Sequence, residues 1–149
     1  MTILKRILLA EDNHKDIELT LEAFAESKIA NEIVVARDGA EALDYLYSRG
    51  RFQGRAPGDP VVVLLDVKMP KLNGLEVLNQ IRSDPHFKHL PVVMVTSSRE
   101  ERDLVKSYQL GVNAYVVKPV GFKEFSDAIK QIGAFWAVLN EPPPLGGRE

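Results

Sequence analysis

The sequence predicts one α/β domain built on an open, doubly wound parallel sheet, and three observations carry that prediction. Short apolar runs rich in β-branched residues recur along the chain, stretches with helical spacing separate them, and polar residues suited to chemistry follow the runs instead of interrupting them. Runs that are apolar on both faces belong to strands covered by helices on either side, as in a parallel sheet. Strands alternating with helices imply βαβ units, whose crossovers are right-handed in nearly all cases. At 149 residues the chain has room for one ordinary core.

The elements follow in order. Residues 7–10 form the first predicted strand. Over 15–27, Ile17, Leu21 and Phe24 fall at i, i+4 and i+7, which predicts a surface helix with one buried stripe. Residues 32–36 give the second strand, and Asp38 is placed to cap a helix running to about Tyr47, with Glu41 at the capping-box position. Residues 49–60 carry three glycines, two prolines and three arginines and are expected to form a loop. Residues 61–65 and 92–95 are the third and fourth strands, with a helix over 74–82 between them. A fourth helix over 99–110 stops at Gly111, a fifth strand spans 114–117, and a fifth helix spans about 123–139. With Pro142, Pro143, Pro144, Gly146 and Gly147, residues 140–149 read as a non-helical tail after a domain over 1–139.

Composition narrows the chemistry. A formal net charge of −2 gives no general attraction to nucleic acid or to an anionic membrane surface, so direct nucleic-acid and membrane partners are not expected. The absence of cysteine excludes disulfides, thiolate nucleophiles and cysteine-rich zinc sites. The apolar start is cut by Lys5, Arg6, Glu11 and Asp12, which fits neither a signal peptide nor a spanning helix, and a cytoplasmic location is expected. His14, His86 and His89 share no metal-ligand spacing and are read as surface or packing residues. Arg49, Arg51 and Arg55 read as a solvated stretch with some capacity to meet an acidic partner.

In an open parallel sheet, ligands bind beyond the carboxyl ends of the strands. Glu11 and Asp12 follow the first run, Asp66 the third, Thr96 the fourth and Lys118 the fifth, so all are expected on one rim. Carboxylates brought together repel one another unless a cation joins them, and a hard divalent ion such as Mg²⁺ takes oxygen ligands including one or two carboxylates. Asp12 and Asp66 can supply those. Asp66 then keeps an oxygen able to attack phosphorus, while Thr96 and Lys118 stabilise charge on the phosphoryl oxygens.

The order Glu11-Asp12, Asp66 within Leu64-Leu65-Asp66-Val67-Lys68-Met69-Pro70, Thr96-Ser97 and Lys118-Pro119 closely resembles the receiver domains of two-component response regulators. The resemblance covers roughly residues 5–139. It implies a flavodoxin-like fold, a five-stranded parallel sheet in the order 2-1-3-4-5 with five helices. It further implies that Asp66 is the phosphoacceptor, that Asp12, Asp66 and the backbone carbonyl of Lys68 hold Mg²⁺ (or Mn²⁺), and that Glu11 assists through water. Thr96 and Lys118 would contact the phosphoryl group, the Lys118–Pro119 bond would be cis, and Tyr115 would be an aromatic switch responding to Thr96. Glu11 stands where an aspartate is more frequent. The loop over 49–60, the stretch over 84–91 and the segment after Phe135-Trp136 resemble small regulators that serve bacterial phytochrome-type sensor kinases, which implies a sensor histidine kinase of that type as partner.

Three readings compete. The first is a single-domain phosphorelay switch, with fewer residues after the fifth helix than any DNA-binding module needs. The second is a haloacid-dehalogenase-like phosphatase, which generally carries an aspartate two residues after its nucleophile where this chain has Lys68. The third is a degenerate receiver acting only as an interaction module. Phe135, Trp136 and Leu139 either complete the core face of the fifth helix or form an interface between two copies.

Overall fold

Alternate residues of each strand enter opposite cores, and this splits the molecule into three layers. The computed structural model describes residues 5–27 and 31–141; the predicted tail over 142–149 lies outside the described residues. Five parallel strands, β1 (Lys5–Ala10), β2 (Asn31–Ala36), β3 (Val62–Leu65), β4 (Val92–Thr96) and β5 (Ala114–Val117), form one sheet in the order β2-β1-β3-β4-β5. Leu8, Ala10, Val63, Leu65, Val92 and Met94 point to one face. Ile7, Leu9, Val62, Leu64, Val93 and Val95 point to the other.

On the first face lie α2 (Gly39–Tyr47) and α3 (Gly74–Ser83), contributing Ala42, Leu43, Leu46, Val77, Leu78 and Ile81. On the second lie α1 (His14–Glu26) and α5 (Phe122–Ile132), contributing Ala23, Phe24, Phe125, Ile129 and Ile132. The remaining helix, α4 (Glu101–Gln109), is anchored differently. Its buried residues are Asp103 and Ser107, while Leu104, Val105 and Tyr108 face outward. A helix with so little apolar burial is held mainly by polar contacts at its start.

Helix starts follow their caps. Asn13 accepts from the Asp16 N–H, Asp38 from the Glu41 N–H, and Asn73 with Glu76 makes a complete capping box. The expected start of α4 at residue 99 is two residues early, because Glu100 is still extended and stands at the N-cap position without a side-chain capping bond. The fifth helix does not run uniformly to Leu139: after Ile132 the chain widens into a π-helical segment (Gly133–Leu139), closed by the Asn140 N–H on the Phe135 carbonyl at 2.6 Å. There Ala137 is buried and Trp136 packs against the second core, whereas Phe135, Val138 and Leu139 are exposed. Among the described residues no helix is long and apolar enough to cross a membrane.

Arg49 and Arg51 of the 49–60 loop are solvent-exposed as expected and Arg55 is half-buried, and each is also tied to the domain. Arg51 reaches the Val35 carbonyl and Glu41, Arg49 pairs with Asp44, and Arg55 stacks on the Tyr45 ring while donating to the carbonyls of Tyr45, Ala56 and Gly58. Such planar, multi-donor groups tie a loop that has few apolar residues of its own.

Candidate metal and phosphoryl site

Parallel strands end on the same rim, and the strand order reverses between β1 and β3, so the residues after these two strands become neighbours. Glu11 extends β1 by donating its N–H to the Ala36 carbonyl at 2.9 Å, and Asp66 extends β3 by donating to Ala10 at 3.1 Å. Thr96 is the last residue of β4, and Lys118, just after β5, donates its N–H to the Thr96 carbonyl at 2.8 Å. Glu11, Asp66, Thr96 and Lys118 are buried and Asp12 is exposed at the mouth. Sequence reasoning placed all five on one rim; the structure brings the side chains of Glu11, Asp12, Asp66 and Lys118 together there and sets Thr96 at the end of the neighbouring strand.

One close approach holds Asp66 where it is. A side chain at Gly74 would collide with the Asp66 carbonyl oxygen, and the Gly74 N–H donates to the Val67 carbonyl at 2.7 Å. The start of α3 therefore sits directly against the backbone of the turn after β3, which only a glycine permits.

Carboxylate oxygens of Glu11, Asp12 and Asp66 lie within 4.8 Å of one another. The Lys118 ammonium spends its three donors on Glu11 at 2.6 Å, Asp16 at 2.8 Å and Asp66 at 3.3 Å. Burial pushes the Glu11 carboxyl up and the Asp66 charge pushes it further; Lys118 and the Asn13 N–H offset this only in part, leaving Glu11 at about 7. Burial works against the charge of Lys118, but Asp66, Asp16 and Glu11 outweigh it and hold the amine above the ordinary lysine range. One lysine facing four carboxylates leaves the rim short of positive charge, and an all-oxygen donor set suits a hard divalent cation. The residues present therefore fit such an ion.

Around this core, Lys68 donates its N–H to Asp66 Oδ1 at 3.4 Å and sends its ammonium outward to Glu100 at 3.0 Å. Thr96 Oγ1 accepts from the Ser98 N–H at 3.2 Å, Ser98 donates its hydroxyl to Asp103 at 2.6 Å, and the Tyr115 hydroxyl donates to the Ser98 carbonyl at 3.1 Å. An open cleft of about 450 Å³ lined by Asp12, Val67, Lys68, Met69, Asn73, Leu75, Arg102 and Asp103 leads to the cluster. A larger depression of about 520 Å³, lined in part by Arg82, Lys88, His89 and Trp136, lies at the opposite ends of the strands, away from this chemistry.

Two expectations change. The Lys118–Pro119 bond is trans, since no described peptide bond is cis. The trans form is favoured by about 0.5–1 kcal/mol in prolyl bonds, and here it already delivers the lysine amine to the rim. Asp16, absent from the predicted set, joins the cluster through Lys118. The detectable signal was its place in the first turn of the helix that follows Glu11-Asp12, but an acid there reads equally well as a dipole-compensating surface residue. His14 is exposed, near Glu18 at 3.5 Å, and His86 is half-buried on Asp59 at 2.8 Å against the Phe87 ring, the surface and packing places expected of them.

Comparison with known proteins agrees with this geometry. The profile of the response regulator receiver domain matches residues 7–130. Response regulator Rcp1 of Synechocystis sp. is 37% identical over 132 residues, covering 89% of this chain and 88% of Rcp1. The structure of its Mn²⁺-bound form superposes with a TM-score of 0.86 at 36% identity, covering 93% and 99% of the two chains. The phosphorylated cyanobacterial phytochrome response regulator RcpA superposes at 0.88 with 40% identity, covering 95% and 99%. The bacteriophytochrome response regulator RtBRR is 63% identical with a TM-score of 0.75, covering 95% and 86%.

Proposed function

This chain belongs to the response regulator receiver domains, and from that membership we infer a phosphorelay switch in which Asp66 accepts a phosphoryl group from a phosphohistidine of a sensor kinase. The observation that carries the reading is the convergence of Lys118 on Asp66 and Glu11, residues 52 and 107 positions away in sequence, beside a three-carboxylate group able to hold a cation. An Asp66 carboxylate oxygen attacks phosphorus, a P–O bond forms, and the P–N bond breaks with its electron pair returning to the imidazole. The product is a mixed anhydride, labile enough for a signal that decays. Asp12, Asp66 and the Lys68 backbone carbonyl would hold Mg²⁺, or Mn²⁺ in its place, with Glu11 acting through water; the ion supplies Lewis-acid stabilisation of phosphoryl charge. The Lys118 ammonium and the Thr96 hydroxyl take the remaining phosphoryl oxygens.

The switch follows from the same contacts. When the Thr96 hydroxyl turns to the phosphoryl group, the Ser98 N–H loses its acceptor. The Ser98 carbonyl carries Tyr115, and the Ser98 hydroxyl carries α4 through Asp103. Tyr115 and the weakly anchored α4 are thus the parts that respond. The similarity to RcpA, Rcp1 and RtBRR supports a phytochrome-type kinase as the donor. A phosphatase reading finds no support at residue 68, where the side chain is a lysine paired with Glu100 instead of an acid.

The test is incubation with Mg²⁺ and acetyl phosphate, and separately with a phosphorylated phytochrome-type kinase. Acid-labile phosphate on Asp66 is expected from both sources, with transfer from the kinase the faster. Failure of both donors to label Asp66 would contradict the reading.

A further inference from the structure

We propose that Asp16 is a positioning residue whose carboxylate holds the Lys118 ammonium partly back from Asp66, and so limits how much of that charge reaches a phosphoryl group. The proposal rests on the reading of Asp66 as phosphoacceptor and adds a control on that site.

Three observations carry it. First, Asp16 occupies the third position of α1, where an acid ordinarily reaches back to the N-cap N–H, as Glu76 does to Asn73 at 3.0 Å in α3. In α1 that N–H is taken by Glu11 Oε2 at 3.0 Å, so the Asp16 carboxylate is released from capping. Second, the released group turns to the rim and binds Lys118 at 2.8 Å, closer than the 3.3 Å between Lys118 and Asp66. Third, the two carboxylates differ in burial: the Asp16 side chain is 26% exposed, nearer solvent, and that of Asp66 only 7%. All three ammonium donors are used, so a phosphoryl oxygen can gain this partner only if a carboxylate gives it up. Of the three acceptors, Asp16 lies outside the carboxylate group that fits a cation.

An interaction made in the resting state and lost in the transition state raises the barrier, so removing it acts on the maximal rate. A charge that merely repelled an anionic donor would act on donor affinity and fade as salt screens it. The experiment compares the full chain with its Asp16→Asn and Asp16→Glu variants, measuring Mg²⁺-dependent labelling by acetyl phosphate across donor concentration at low salt and at about 0.5 M salt. For Asp16→Asn a rise of about threefold to tenfold in maximal rate is expected, retained at high salt, with the Asp16 backbone still capped by Asn13 and thermal stability nearly unchanged. Asp16→Glu, which keeps the carboxylate, is expected to stay within about twofold of the parent chain. A maximal rate unchanged or lowered in Asp16→Asn would overturn the proposal. So would an effect confined to donor affinity, or an equal gain in Asp16→Glu. If the parent chain takes no label at all, the phosphoacceptor reading falls and this proposal with it, an outcome distinct from labelling that ignores residue 16.

Discussion

The two ends of β1 hold cations in opposite ways. At its start Arg6 donates to the carbonyls of Ala56, Pro57 and Gly58 and to the Tyr45 hydroxyl, with Glu32 at 3.5 Å; Arg55 joins it on the Ala56 and Gly58 carbonyls. Beyond its other end Lys118 faces Glu11, Asp16 and Asp66, with Asp12 at the mouth. The arginine end is satisfied mostly by neutral oxygens, which is how a loop is fastened. At the lysine end charge is left unbalanced, which costs stability and is tolerated where a cation and a reacting anion complete the set. Burying charge alone does not mark a site; burying it incompletely does.

That contrast can be broken most sharply at Asp66. Asp66→Asn is expected to abolish phosphate labelling while leaving the metal-free fold as stable as the parent or more so, because the charge pushing on Glu11 is gone. Chemical denaturation alongside labelling checks both, and a variant clearly less stable than the parent would count against the unbalanced-charge account. Next in size is Gly74→Ala. Its methyl would enter the Asp66 carbonyl, so a loss of about 2–4 kcal/mol is expected, with labelling reduced beyond what the lower folded fraction explains.

At the fastened end, Arg6→Ala should cost about 1–3 kcal/mol, since the Pro57 carbonyl and the Tyr45 hydroxyl lose a donor and the Ala56 and Gly58 carbonyls keep only Arg55, yet leave divalent-ion affinity unchanged within error. Calorimetric titration of that variant tests whether the two ends are independent. The pH dependence separates them as well. With Glu11 raised from 4.5 to about 7, the folded metal-free chain holds more protons there than the unfolded one between those values, so this group's contribution to stability falls as pH rises across the window. Divalent affinity moves the other way, weakening below pH about 7 as the proton competes for Glu11. The smallest effect is expected in α4: the Ser107 hydroxyl is buried without a partner, so Ser107→Ala should be neutral or stabilising by up to about 1 kcal/mol in thermal unfolding.

The sequence was most informative where local rules act alone. Apolar runs located all five strands to within a residue or two, and the polar residues after four of them gave the rim, because a parallel sheet sends every strand end the same way. It was silent where a side chain's partner lies far along the chain. Asp16 finds Lys118 across 102 residues, and Arg6 finds the 56–58 carbonyls across about 50. Neither pairing leaves a periodic trace. The widened turn after Ile132 was equally hidden, since its residues have the composition of an ordinary helix. Motif resemblance also overreached at Lys118–Pro119, where both isomers lie close in energy and the chain takes the trans one.

Thermal unfolding of the intact chain against Mg²⁺ concentration tests the central claim most directly. A rim short of positive charge predicts a saturable rise in Tm for the parent chain, as for any ligand that binds only the folded state, and loss of that rise in Asp12→Asn. A parent chain whose Tm ignores Mg²⁺, or an Asp12→Asn variant that responds as strongly as the parent, would contradict it.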